Sequence, residues 1–262
     1  MKHSRNLRII AAGGGAPNKS SAPALIEAVE MTGERKPRVL IIPTAKVTNE
    51  AYDNAVNATR DLYSARLGLD TTILHEFGVE PTKDRIDHEI GNADVVYIPG
   101  GDTAHMMETW HRTGITAILG RAALEGSVVL SGISAGAIAP FAWGHSDSLS
   151  YRPETSETWD YIPVEGMGLV RAAITPHFNT TNDRLGARSD SFHSMFYDLS
   201  GSPTNPQIGF GIDNFAAIKI IDGKITPIHS RPDHEITVLR KSGESIIKDT
   251  LSKDDPIYLH EL

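Results

Sequence analysis

Residues 131–140, SGISAGAIAP, place Ser134 between Gly132 and Gly136 at the end of an apolar run that begins at Val128. A serine hydroxyl becomes a useful nucleophile when a tight strand-to-helix bend lifts it clear of its neighbours and a base stands beside it. Such a bend admits only small flanking residues, and the G-x-S-x-G spacing supplies them. A helix beginning at Ala135 would point free N–H groups at a developing oxyanion. The same residues also fit a serine that merely caps an ordinary helix. Upstream, PGGDT at 99–103 follows another apolar run, so Gly101 N–H is a second candidate donor beside Ala135 N–H, with Gly100 and Asp102 flanking it. The bland reading of that stretch is a glycine turn capped by Asp102 or Thr103.

A nucleophilic serine needs a base and something to orient it. Of eleven histidines, His177 stands out because ITPHFN ends a strand-like run, and His145 in WGHSDSLS is its nearest rival. Asp147 and Asp213 are the two candidates for the orienting group, each with a turn or capping role as its alternative.

These residues need elements that carry them to one place. LRIIAAGG (7–14), RVLIIPT (38–44), TTILHEFG (71–78), DVVYIPGG (94–101) and SVVLSGIS (127–134) read as strands, several apolar at consecutive positions, as in a parallel sheet buried on both faces. Amphipathic stretches at 22–33, 49–68 and 104–114 separate them, ending near Gly33, Gly68 and Gly114. In the second half, 169–178 reads as a strand, 182–200 as a helix, and 148–168 as a loop. Residues 207–228 and 235–249 read as hairpins turning at Asp222-Gly223 and Ser242-Gly243. The alternation predicts one α/β domain over 1–262: a doubly wound, mostly parallel sheet with helices on both faces and C-terminal β-hairpins. In such sheets ligands gather beyond the carboxyl ends of the strands. Gly13–Gly15, Pro99–Thr103, Gly132–Ala137 and Thr175–Asn179 all fall there.

Composition narrows the partners. The 262 residues are 40% hydrophobic and 22% charged with a formal charge of −8, which argues against nucleic acid or an anionic membrane surface. With no cysteine, disulfides and thiolate chemistry are excluded. Leu7–Ala12 is too short for a signal-peptide core and no run is long enough to span a membrane, so a soluble cytoplasmic protein is expected. GGGAPNKS (13–20) resembles a phosphate-binding loop, but Asn18 stands where a second glycine is needed. The histidines and acids of 177–193 fit no tight metal site. No cofactor or metal is expected, and a homodimer is compatible with the sequence.

PGGDTAHMMETWHRTGI, SGISAGAIAPFAWGHSDSL, ITPHFN and GFGIDNFAA together resemble the peptidase E family of serine peptidases, which includes the cyanophycinases, from about Leu7 to about Ile220. The resemblance implies a fold like that of class I glutamine amidotransferases. It also implies Ser134 as nucleophile, His177 as base, and Gly101 and Ala135 as oxyanion donors. Asp147 and Asp213 match the two positions that the family uses for its acid. Asp213 replaces the usual glutamate and is one methylene shorter, which favours Asp147. Arg188 matches an arginine that pairs with an N-terminal aspartyl side chain, as a guanidinium suits a carboxylate. Ser191 stands where the family has a second arginine, and Arg184 is a nearby substitute. The resulting expectation is a serine peptidase that hydrolyses small peptides, dipeptides with an N-terminal aspartate, through a Ser-His-Asp-type triad and an acyl-enzyme. Its alternatives are a cyanophycinase-like β-aspartyl isopeptidase and a non-catalytic small-molecule binding domain on the same shell.

Overall fold

A computed structural model describes residues 7–155, 157–202 and 204–261. In the first half, strands β1 (Ile9–Ala12), β2 (Val39–Ile41), β3 (Thr71–Ile73), β4 (Val95–Ile98) and β5 (Val129–Ile133) alternate with helices. These are α1 (Ala22–Glu30), α2 (Asn49–Arg60), α3 (Lys83–Gly91), α4 (Thr103–Thr113) and α5 (Ile115–Glu125). A single turn, α6 (Ala135–Ile138), leads to β6 (Phe141–Ser146), β7 (Ile162–Glu165) and β8 (Val170–Thr175). The small pair β9 (Thr181–Asn182) and β10 (Gly186–Ala187) precedes α7 (Arg188–Leu199) and β11 (Ile208–Ile212). The chain closes with β12 (Ala216–Ile221), β13 (Lys224–His229), β14 (Ile236–Ser242), β15 (Ser245–Thr250) and β16 (Ile257–Tyr258).

Among the described residues an eight-stranded sheet runs β16-β13-β12-β1-β5-β4-β2-β3. Its β1, β5, β4, β2 and β3 are parallel, and the β12–β13 hairpin extends it antiparallel from β1. The two faces of β1 explain why its residues are all apolar. Ile10 and Ala12 pack with Leu25 of α1 and Tyr63 just beyond α2, whereas Ile9 and Ala11 pack on the side of Met106 and Trp110 of α4. The doubly wound sheet with helices on both faces is therefore present.

A second, six-stranded sheet, β15-β14-β11-β8-β6-β7, shares the core on the α4 side. Phe141 of β6 and Phe210 of β11 meet edge-on at 6.2 Å with both side chains fully buried, and truncating either to alanine costs about 3–5 kcal/mol. Helix α7 covers the outer face of this sheet with Phe192 and Phe196.

Several boundaries differ from the sequence expectations. Residues 182–200 are not one helix: Gly186, at φ 76°, closes the β9–β10 turn and α7 begins only at Arg188. The stretch at 148–168 contains β7, whose pairing with β6 supplies the order that its own pattern lacks. Within 207–228, β11 joins the second sheet and only β12–β13 form the hairpin, turning at Asp222-Gly223 with φ 52° and 76°. The β14–β15 hairpin forms, but Ser242 pairs with Ser245, so its turn is Gly243-Glu244, one residue beyond the expected Ser242-Gly243. No helix among the described residues is long and apolar enough to cross a membrane.

Candidate active site

Ser134 follows β5 with φ 56° and ψ −114°, a strained conformation for a residue with a side chain. Its neighbours explain how the bend is tolerated. A Cβ on Gly132 would lie 2.1 Å from the Gly136 carbonyl oxygen, and one on Gly136 would lie 2.0 Å from that of Ile98. Both glycines of G-x-S-x-G are thus steric requirements of the turn. Ser134 makes no side-chain cap to α6, so the capping role weighed for it is not the one it takes.

Three of the four non-glycine residues with positive φ among those described cluster here: Ser134, His177 and Phe215. His177 (φ 55°) is held by its N–H donating to the Gly13 carbonyl at 2.9 Å. Its Nε2 stands 2.9 Å from Ser134 Oγ, and its Nδ1 stands 2.7 Å from Asn214 Oδ1. An amide oxygen only accepts, so Nδ1 carries the proton and the Nε2 lone pair faces the serine hydroxyl. Burial lowers the pKa of His177 below the ordinary histidine value, and the Arg188 guanidinium adds to this. The Asn214 hydrogen bond and the Asp147 charge act the other way. The net result is a neutral imidazole at neutral pH, ready to accept a proton.

Neither aspartate occupies the orienting position. Asp213 turns away: its carboxylate accepts the Glu235 N–H at 3.0 Å and its own N–H donates to the Glu235 carbonyl at 3.2 Å. The chain turns between β11 and β12, with Ala216 N–H donating to the Asp213 carbonyl at 3.2 Å, so Asp213 secures the residue before β14 while Asn214 reaches the ring. Asp147 lies on the far side of His177, with its Oδ2 3.6 Å from Arg188 Nη1. Asn214 is not among the residues that the sequence singles out, since a carboxylate is the usual orienting group; its signal is its place beside Asp213 in GIDN.

The rival histidine is locked elsewhere. His145 is buried, its Nδ1 3.1 Å from Thr175 Oγ1 and its Nε2 2.9 Å from Ser191 Oγ. Ser191, which stands in place of the resembled family's second arginine, therefore supports His145.

Gly100 packs directly on Ser134, since a Cβ there would come within 2.8 Å of the Ser134 Cβ. Gly101 (φ 146°) is clamped beneath Ala45, whose carbonyl oxygen would lie 2.1 Å from an added Cβ. Among the described residues, neither Gly101 N–H nor Ala135 N–H takes part in any turn, loop or cap hydrogen bond. Asp102 is only 4% exposed, and its carboxylate accepts the His105 N–H at 3.0 Å as the α4 cap. That is the capping role weighed for Asp102 as the alternative to a place in the site.

Two cavities meet at His177. One, of about 390 Å³, contains Ser134, Gly100, Gly101, Tyr151 and Lys46. The other, of about 310 Å³, contains Asp147, Arg188, Trp159 and Tyr161. Arg188 is 3% exposed: Nε donates to Thr175 Oγ1 at 3.2 Å, Nη2 donates to the His145 carbonyl at 3.0 Å, and its guanidinium carbon lies 4.7 Å from the Tyr161 ring centre. Arg184 is exposed, with its guanidinium over Trp159. The Gly13–Gly15 loop has a steric job: a Cβ on Gly14 would lie 2.4 Å from the His177 ring and 2.1 Å from Asn214 Oδ1.

The model of peptidase family S51 matches residues 9–228, which includes every residue of this arrangement. The chain belongs to peptidase family S51. An uncharacterized family relative by name, the peptidase YgaJ of Bacillus subtilis (strain 168), is 28% identical over 222 residues, covering 83% of this chain and 85% of that one. A crystal structure of a peptidase from an acI-B1 actinobacterium superposes with a TM-score of 0.67 at 20% identity, over 96% of both chains. A protein designated peptidase E from Listeria monocytogenes EGD-e gives 0.53 at 17% identity, over 94% of this chain and 99% of that one. At those identities the two structures support the fold, while membership in family S51 makes the chain a peptidase.

Proposed function

We propose that this S51 peptidase is a serine-type enzyme that hydrolyses small peptides, dipeptides with an N-terminal aspartate among them, through Ser134, His177 and Asn214. The supporting observation is the 2.9 Å approach of His177 Nε2 to Ser134 Oγ on a strained, glycine-flanked bend. As Oγ attacks the scissile carbonyl carbon, its proton passes to Nε2 and the carbonyl oxygen becomes an anion facing the Gly101 and Ala135 N–H groups. Collapse breaks the C–N bond, with the Nε2 proton going to the leaving amine, and leaves an acyl ester on Ser134. A water gives its proton to Nε2 and attacks that ester; the second collapse returns the proton to Oγ and frees the acid product. Asn214 holds the ring through Nδ1–H, which needs only an acceptor, as in the Cys-His-Asn arrangement of other peptidases.

Hydrolysis of Asp-X, β-Asp-X and neutral dipeptides by wild type and Ser134→Ala tests this reading. The expected result is hydrolysis by wild type that falls about 10⁴-fold or more in the variant. Undiminished turnover by Ser134→Ala overturns it. Cleavage confined to the β-aspartyl substrates would redirect it to an isopeptidase.

A further inference from the structure

Lys46 belongs to none of the groups used above, yet it lines the Ser134 cavity and also a neighbouring one of about 330 Å³. It is the residue that the two cavities share. Its backbone is fixed, with the N–H donating to the Pro43 carbonyl at 2.9 Å, directly after the Ala45 carbonyl that accepts the Asp102 N–H at 2.8 Å. The loop that clamps Gly101 therefore also aims this side chain. Lys46 Nζ has no hydrogen bond or ion pair with any described residue. Among the described residues it is the one lysine or arginine around the Ser134 cavity, and no described aspartate or glutamate lines that cavity. In the neighbouring cavity the one carboxylate, Glu80, is taken by Arg112. Burial lowers the Lys46 pKa with no anion to offset it, in a chain whose formal charge is −8. The cavity beyond Arg188 differs, because there the cation already faces Asp147.

We propose that Lys46 is the carboxylate-binding residue of the Ser134 cavity, its ammonium pairing with a free carboxylate of the peptide other than the group being cleaved. This rests on the peptidase reading of Ser134. The carboxylate is either the C-terminus or an acidic side chain, and both present the same anion to Nζ.

The test takes the best dipeptide substrate and compares it with its C-terminal amide and with its Asp→Asn analogue, using wild type, Lys46→Met and Lys46→Arg. Wild type is expected to lose 10- to 100-fold in kcat/KM, chiefly through KM, when the recognised carboxylate is neutralised. Lys46→Met, which keeps most of the stem volume, should handle the charged substrate no better than the neutral one, and Lys46→Arg should restore discrimination. Sensitivity to the amide assigns the C-terminus; sensitivity to Asn assigns the side chain. Full discrimination retained in Lys46→Met, or none in wild type for either change, overturns the proposal. Calorimetry on Ser134→Ala with and without Lys46→Met separates the two readings. Lys46-dependent binding of charged dipeptides, with no hydrolysis of any of them by wild type, would overturn the peptidase chemistry alone. Hydrolysis by wild type with Lys46-independent binding would overturn the Lys46 role alone.

Discussion

His145 and His177 sit at the ends of the neighbouring parallel strands β6 and β8, and burial lowers the pKa of both. Their surroundings nevertheless differ. His145 is pushed down to about 3, by burial first and by Arg188 second. Its ring stacks on Tyr161 at 4.4 Å and both nitrogens are taken by hydroxyls inside the packing. His177 is half-buried, borders both cavities, and presents one nitrogen to Ser134. Under the proposed mechanism a low pKa and a hydrogen-bonded ring do not make a base, whereas a nitrogen aimed at Ser134 beside open space does.

Exchanging each ring for alanine is the strongest way to break this comparison. His177→Ala is expected to lower kcat by about 10⁴-fold or more while denaturant unfolding changes little. His145→Ala should do the reverse, losing about 2–3 kcal/mol of stability through the cavity and the hydroxyls left unpaired, with kcat of the folded protein within about tenfold. A stable, inactive His145→Ala would erase the distinction.

A second test leaves both histidines in place. Gly14→Ala puts a methyl where the His177 ring and Asn214 now lie, so the base must move. A drop of about 10²-fold in kcat/KM is expected, since a displacement near 1 Å is enough for that. Wild-type turnover in this variant would show that the glycine loop does not set the ring.

Asn214→Asp sharpens the comparison through pH. A carboxylate at that place stabilises the imidazolium and raises the His177 pKa. Because Nε2 must be unprotonated to act, the acid limb of kcat/KM should move to higher pH. In wild type that limb should lie below the ordinary histidine value of about 6.5, given the direction of the His177 shift. An unmoved limb in Asn214→Asp would remove Asn214 as the group that holds the ring.

The smallest effect is on stability in acid. Unfolded His145 takes up a proton near pH 6.5, whereas the folded residue takes none until about 3. Its contribution is present above the unfolded value and is lost as pH falls, at up to about 1.4 kcal/mol per pH unit. Comparing wild type with His145→Gln by urea unfolding at pH 7, 6 and 5 checks the sign. A difference that does not change over that range would mean the buried ring accepts a proton after all.

Much of this was legible in the residues. Apolar runs broken at Gly33, Gly68 and Gly114 marked the parallel sheet and its helices, because burial on both faces leaves a dense local signature. The second sheet was less visible: β7 owes its order to pairing with β6, and β11 to pairing with β8 and β14. Such pairings depend on distant partners and leave only a weak pattern in a short segment.

The candidate site divides along the same physical line. Ser134 could be singled out from SGISAGA because the bend excludes large neighbours within two residues on either side, so its requirement is written locally. His177 followed from its place at a strand end. What orients its ring was decided by which way adjacent side chains point, and that sends Asp213 to Glu235 and Asn214 to Nδ1. The role of Lys46 as an unpaired cation at a cavity junction belongs to that second kind. Steric tolerance is a property of neighbours in the chain, whereas the direction and partners of a side chain exist only once distant strands have brought their ends together.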